Sequence, residues 1–251
     1  MMQAPDPVAF SIHGFEIRWY GILIAAAFLA AIFISAKRAP KFGIKAENIY
    51  DLAIFLMPIS IVGARLYYVI FSWDYYAGDI KKILDIRSGG LAIHGGLIAG
   101  LITAIVFCKI KKINFPDLAD LIFPQVALAQ AIGRWGNFFN SEAHGGPTDL
   151  PWGIIVDGQK VHPTFLYESI WCLALFFFLL HVSKKRKFRW QIFLLYCILY
   201  SLERFFVEGL RTDSLMIGNL RQAQVLSAVV FFAGIIIYIV LNHKSKGKVS
   251  K

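Results

Sequence analysis

The run Ile22-Leu23-Ile24-Ala25-Ala26-Ala27-Phe28-Leu29-Ala30-Ala31-Ile32-Phe33-Ile34-Ser35-Ala36 carries a single polar side chain before it stops at Lys37-Arg38. With Arg18-Trp19-Tyr20-Gly21 ahead of it, the stretch approaches the ~20 residues an α-helix needs to cross a bilayer. Val225 to Leu241 has the same character. Hydrocarbon offers no water to a free N–H or C=O, so a spanning segment must satisfy its own backbone, and a helix does so. These runs decide the class: an all-α integral membrane protein.

Composition agrees. Of 251 residues, 57% are hydrophobic and 17% charged, against about 25% charged in soluble domains. The net charge of +10 invites a nucleic-acid reading, but the basic residues punctuate apolar spans instead of lining one face. Cys108, Cys172 and Cys197 each sit inside an apolar run without metal-ligand spacing, which suits buried packing. Residues 1–17 hold no Lys or Arg, whereas a cleavable leader wants a basic start and a small-residue exit. The first segment is therefore expected to remain as a span.

Seven apolar segments are expected, at about 18–36, 50–72, 91–108, 117–133, 163–183, 190–207 and 222–242. Connections 37–49, 109–116 and 184–189, with the tail 243–251, hold 16 Lys and Arg; segments 1–17, 73–90, 134–162 and 208–221 hold 7. Basic residues stay in the cytoplasm, so the C-terminus is placed there and the N-terminus outside, as an odd number of spans requires. The whole chain, 1–251, reads as one polytopic domain. The 134–162 connection, with Gly145-Gly146-Pro147 and Leu150-Pro151-Trp152 as turn material, reads as an ordered external cap without a fold of its own.

The middle segments carry Arg65, His94, Asp120, Glu168, Glu203 and Arg204. The most informative stretch is Gly133-Arg134-Trp135-Gly136-Asn137-Phe138-Phe139-Asn140-Ser141-Glu142-Ala143-His144-Gly145. Its glycines let a backbone approach a headgroup, Arg134 offers a planar fork matched to phosphate oxygens, and the amides can bond glycerol or carbonyl oxygens. The alternative is an interfacial anchor in which Arg134 only snorkels. Within Gly89-Gly90-Leu91-Ala92-Ile93-His94-Gly95-Gly96, His94 is either a general base or part of a packing site where glycines bring helices together.

Tyr200, Arg204 and Glu208 recur every four residues and share one helical face. Ionisable residues in a span are expensive and point to a site in the bundle interior, unless Arg204 and Glu208 form a structural pair. Arg65 and Asp120 read as buried structural partners. His162-Pro163, which opens the fifth span with Pro in its first turn, either caps that helix or meets substrate. Arg18-Trp19-Tyr20-Gly21 suits an interfacial belt. With the N-terminus outside, Tyr20, His94, Arg134 to Gly145, His162 and Arg204 to Arg211 all fall near the outer interface. Independent anchors would scatter between both faces, so one outer site is expected.

The same residues resemble the prolipoprotein diacylglyceryl transferase family. Gly133 to Gly145 matches the signature G-R-x-G-N-F-x-N-x-E-x-x-G at every specified position. His94-Gly95-Gly96 resembles its H-G-G element, Tyr200 to Arg211 its Y-x-x-x-R-F-x-x-E-x-x-R spacing, and His162 to Glu168 its H-P-x-x-L-Y-E; Arg18-Trp19-Tyr20-Gly21 also matches. The likeness spans residues 18 to 211.

The resemblance implies transfer of the diacylglyceryl group of phosphatidylglycerol to the lipobox cysteine of a preprolipoprotein signal peptide. The products would be a thioether and glycerol phosphate. A thiol of pKa ~8.5 needs deprotonation before it attacks carbon, and His94 is the candidate base. Arg134 and Arg204 would hold the phosphate as it leaves. Asn137 and Tyr20 would orient the headgroup, and Glu142 and Glu208 would position the arginines. Asn140, Gly145, His162, Tyr200 and Arg211 complete the expected substrate site, with Arg65, Asp120 and Glu168 as structural polar residues. No metal or organic cofactor is implied. The partners are phosphatidylglycerol, the signal peptide and membrane lipids, not nucleic acid. The place is a bacterial inner membrane, with the site toward the periplasmic face. A transporter or flippase for an anionic lipid would also want buried arginines. It predicts an internal repeat and spans broken at the midplane, and the sequence offers neither. A structural membrane subunit would leave the signature unexplained.

Overall fold

The computed structural model describes residue 3 and residues 5–86, 89–212, 216–218 and 220–249. The chain opens with a hairpin, β1 (Val8–Ile12) and β2 (Phe15–Arg18), and enters α1 (Trp19–Arg38), which tightens into a 3-10 turn at Ala39–Phe42. Then come α2 (Ala46–Phe71), the short α3 (Trp73–Tyr76) and α4 (Ile80–Leu84), α5 (Ile93–Lys111) and α6 (Phe115–Phe139). A second hairpin, β3 (Ile154–Val156) and β4 (Gln159–Val161), leads to α7 (Thr164–Ser183) and α8 (Gln191–Glu208). A two-residue pair, β5 (Met216–Ile217) and β6 (Leu220–Arg221), precedes α9 (Gln222–Val249).

Seven long helices among the described residues occupy the seven apolar segments. Five of them are long and apolar enough to cross a membrane: α1 with its 3-10 extension, α2, α5, α7 and α9. Helices α6 and α8 are more polar. The first carries Asp117, Asp120, Gln125, Gln130 and Arg134, and the second Gln191, Glu203, Arg204 and Glu208. Large apolar side chains such as Phe33, Ile54, Leu97, Phe232 and Ile236 are more than half exposed. In water such a surface would be a liability; against lipid tails it is the expected outer face of a bundle.

The hairpins were not expected from the apolar pattern. Both turn on two residues of positive φ, His13-Gly14 (49°, 81°) and Asp157-Gly158 (48°, 77°), the twist that two-residue hairpins favour.

The chain forms two compact units, Ser35–Leu118 and the remainder. In the first, α2 packs on α5 where Gly63 faces Gly95. A methyl group on Gly95 would run into the Gly63 carbonyl and the Tyr67 side chain, so the two backbones touch only because neither residue has a Cβ. Arg65, buried on α2, donates Nε to Ile83 O (2.9 Å), Nη1 to Gly89 O (2.7 Å) and Gly90 O (2.9 Å), and Nη2 to Lys82 O (2.6 Å). It clasps the loop leading to α5 by main-chain carbonyls.

In the other unit, Ala127 of α6, Leu175, Phe176 and Leu179 of α7, and Ile192 and Tyr196 of α8 form a continuous core, and α9 covers α8. Asp120 of α6, fully buried, accepts from the N–H groups of Ile192 and Phe193 (both 2.9 Å) and pairs with Arg186 at 3.0 Å. A carboxylate from one helix thus caps the first turn of another, meeting donors that helix cannot satisfy internally. The 134–162 connection shares an apolar cluster with the flanking helices: Ile154, Val156 and Val161 bury with Phe138 of α6 and Phe165 of α7, seating β3 and β4 on the ends of those helices.

Candidate active site

Three helices contribute one charged cluster. Glu168, one turn into α7 and 1% exposed, is shared by two arginines. Arg134 from the last turns of α6 is ion-paired to its Oε2. Arg204 from α8 reaches both of its oxygens through Nη1 at 3.3 Å. Arg204 also pairs through Nη2 with Glu208 at 2.6 Å, the i, i+4 contact that the spacing predicts. Tyr200 of α8 lies close enough to Arg134 to interact with its charge. The guanidiniums remain 18% and 19% exposed while Glu168 is sealed. The cluster is therefore anchored on a sealed carboxylate and partly exposed at its guanidiniums. Two fixed guanidiniums beside each other make a receptor for a tetrahedral anion.

Glu203, also buried on α8, has neither carboxylate oxygen hydrogen-bonded among the described residues. Its place in an expected span marks it as a costly ionisable residue, but no local pattern assigns it a role. Glu168 was expected as a structural group, and its position as the hub of both arginines depends on contacts 34 and 36 residues apart in sequence. Only the fold brings these together.

The signature loop is held by its own amides. Asn137 and Asn140 both donate Nδ2 to Glu142 Oε1, at 2.9 and 3.2 Å. Glu142 thus meets the two amides, and Glu168 is the acid that both arginines share. Ser141 and Ala143 take positive φ (53° and 56°), which lets the chain double back after α6. The ring of Tyr20 of α1 abuts Gly136, where any Cβ would strike it, and Trp19 stacks on Phe139 at 5.3 Å.

Gly145 sits between two backbone segments. Its N–H donates to His162 O at 2.9 Å, and it bridges to Arg211 on the other side. A Cβ here would come within 2.6 Å of His162 Cβ and 3.1 Å of Leu210 O, so close approach explains this glycine. The Gly146 N–H donates to Leu210 O (3.0 Å), and the His162 N–H to Gly146 O (3.0 Å). The His162 ring lies 3.3 Å from the Tyr167 hydroxyl, which also accepts from Trp152 Nε1 at 2.9 Å.

His94 belongs to the other compact unit. It is the second residue of α5, exposed, with its ring 6.1 Å from that of Tyr67. The glycines that follow it make the α2–α5 contact, so in this motif the glycines pack and the imidazole is left to solvent or substrate.

The model of the family described as prolipoprotein diacylglyceryl transferase matches residues 7–240. The chain belongs to that family. It is 51% identical over 246 residues to the phosphatidylglycerol–prolipoprotein diacylglyceryl transferase of Clostridioides difficile strain 630, covering 98% of this chain and 99% of that protein. The enzyme of the same name from Finegoldia magna is 53% identical over 235 residues, covering 93% and 95%. That of Listeria monocytogenes serotype 4a is 47% identical over 251 residues, covering 94% and 91%. The prolipoprotein diacylglyceryl transferase match takes in the Glu168 cluster, the signature loop and His94 alike.

Proposed function

We propose that the protein transfers the diacylglyceryl group of phosphatidylglycerol to the lipobox cysteine of preprolipoproteins, the first step of bacterial lipoprotein maturation. Family membership supports the reaction class. The paired guanidiniums on Glu168 are the observation that carries the lipid assignment, because a phosphodiester offers the oxygens such a pair is built to bind.

In the proposed reaction, a base takes the thiol proton and the thiolate attacks the glyceryl carbon. A carbon–sulfur bond forms as the carbon–oxygen bond to phosphate breaks, and glycerol phosphate leaves. Arg134 and Arg204 bind the phosphate and offset the charge that grows on its leaving oxygen. Glu168 and Glu208 hold the arginines in place. Tyr20, Asn137, Asn140, Glu142, Gly145, His162, Tyr200 and Arg211 shape and orient the headgroup, and His94 is the base. We further propose seven spans in a bacterial inner membrane, with the N-terminus outside, the C-terminus cytoplasmic, and the chemistry at the outer face.

The test uses purified protein with phosphatidylglycerol and a peptide bearing a lipobox cysteine. The peptide should gain the mass of a diacylglyceryl group while glycerol phosphate appears in equal amount. Unmodified peptide, or peptide acylated through an ester without released glycerol phosphate, would rule the reaction out.

A further inference from the structure

The exit of α8 raises a question of backbone accounting. A helix leaves its last four carbonyls without intrahelical partners, to be met by turns, side chains or water. Here every carbonyl from 205 to 211 has a donor. Phe206 O, Val207 O and Glu208 O accept from the N–H groups of Gly209 (3.0 Å), Leu210 (3.0 Å) and Arg211 (3.2 Å). Leu210 O accepts from Gly146 of the signature loop. The remaining three are met by side chains from the start of α9 and the residue before it. Gln224 Nε2 donates to Phe205 O (3.1 Å), and Arg221 gives Nη1 to Gly209 O (2.5 Å) and Nη2 to Arg211 O (2.8 Å).

Gly209 to Arg211 is therefore a tight turn that continues α8, held by Gly145 and Gly146 of the signature loop and by the Arg221 fork. Glu208, the partner of Arg204, and Arg211 lie at its ends. A planar fork can grip two carbonyls at a fixed spacing, which an ammonium cannot.

We infer that Arg221 is a positioning residue for the headgroup site: by clamping Gly209 and Arg211 it fixes the segment on which Glu208, Arg211 and Gly145 keep their register. This rests on the transferase reading above and adds a residue outside the signature elements. Among the described residues the fork hydrogen-bonds main-chain carbonyls, so its loss acts through the segment. It loosens lipid binding and leaves the chemical step largely intact.

The experiment measures kcat and KM for dioleoylphosphatidylglycerol in detergent micelles, at saturating lipobox peptide, for the parent, Arg221→Lys, Arg221→Gln, Arg211→Lys and the double variant Arg221→Lys/Arg211→Lys. Each is assayed on the monodisperse fraction. Losing one of two charge-assisted bonds should raise KM by about tenfold while kcat stays within about threefold. Because both changes act through one segment, the double variant should show a KM close to that of Arg211→Lys alone. A parental KM in both Arg221 variants would overturn the inference. So would a fall in kcat at unchanged KM, or KM increases that multiply in the double variant. If the parent itself transfers nothing, the transferase reading fails separately. Retention of the same lipid by the parent and the Arg221 variants in a filtration assay then still decides whether Arg221 sets lipid binding.

Discussion

At Arg134 and Arg204 the relevant chemistry is the difference between a fork and a point charge. Arg134→Lys keeps the cation and the pairing with Glu168 but loses the bidentate face. Activity should fall by about 10²-fold or more, as for other lost oxyanion donors, at normal expression; a variant turning over like the parent would end the phosphate-clamp role. His94 is tested by how the rate of a variant depends on pH. A removed general base typically costs ~10²–10⁴-fold, so His94→Asn should give a stable, slow enzyme whose remaining rate climbs with pH as hydroxide forms the thiolate. A destabilised variant with the parental pH profile would make His94 structural and hand the proton to another acceptor. At this scale the sequence was informative where partners are close along the chain. Arg204 and Glu208 are four apart and were legible as one face, and they do pair. Glu168 joins residues from α6 and α8, and no local pattern encodes a three-helix junction.

Among the elements, the helices were legible and the hairpins were not. An apolar run must be helical in lipid; the expected segments 18–36 and 163–183 lie within two residues of α1 and α7, and 222–242 starts with α9, which runs on to Val249. The strands have two to five residues, too short for alternation to register, although Asp157-Gly158 is a hairpin signal in its own right. The connection that this hairpin stiffens seats Gly145, and Gly145→Ala tests the seat. The new methyl would meet His162 Cβ and the Leu210 carbonyl, one a main-chain atom and the other bonded to the main chain, so neither yields by a rotamer change. Overpacking of this kind costs about 1–3 kcal/mol. The expected result is a lower Tm in detergent together with reduced transfer. An unchanged Tm would show that the ladder of His162, Gly145 and Leu210 tolerates more room than the geometry gives it.

For the whole molecule, the bias of Lys and Arg toward alternate connections supports the proposed orientation without reference to any site. A reporter fused after Lys251 should read cytoplasmic, and one inserted near Asp149 should read external. An external C-terminus would overturn the span count and the placement of the chemistry together. Helix lengths carry a separate consequence. At 1.5 Å per residue, the 26 residues of α2 extend about 39 Å and the 19 of α5 about 28 Å, against a hydrocarbon layer of about 30 Å. The longer helix absorbs a mismatch by tilting or by letting its ends emerge. The shorter has no length to spare, and its second residue is His94. In the proposed topology, a thicker bilayer would draw that imidazole toward the hydrocarbon, and a thinner one would release it toward water. On that reading the chain length of the surrounding lipids sets how deep this histidine lies.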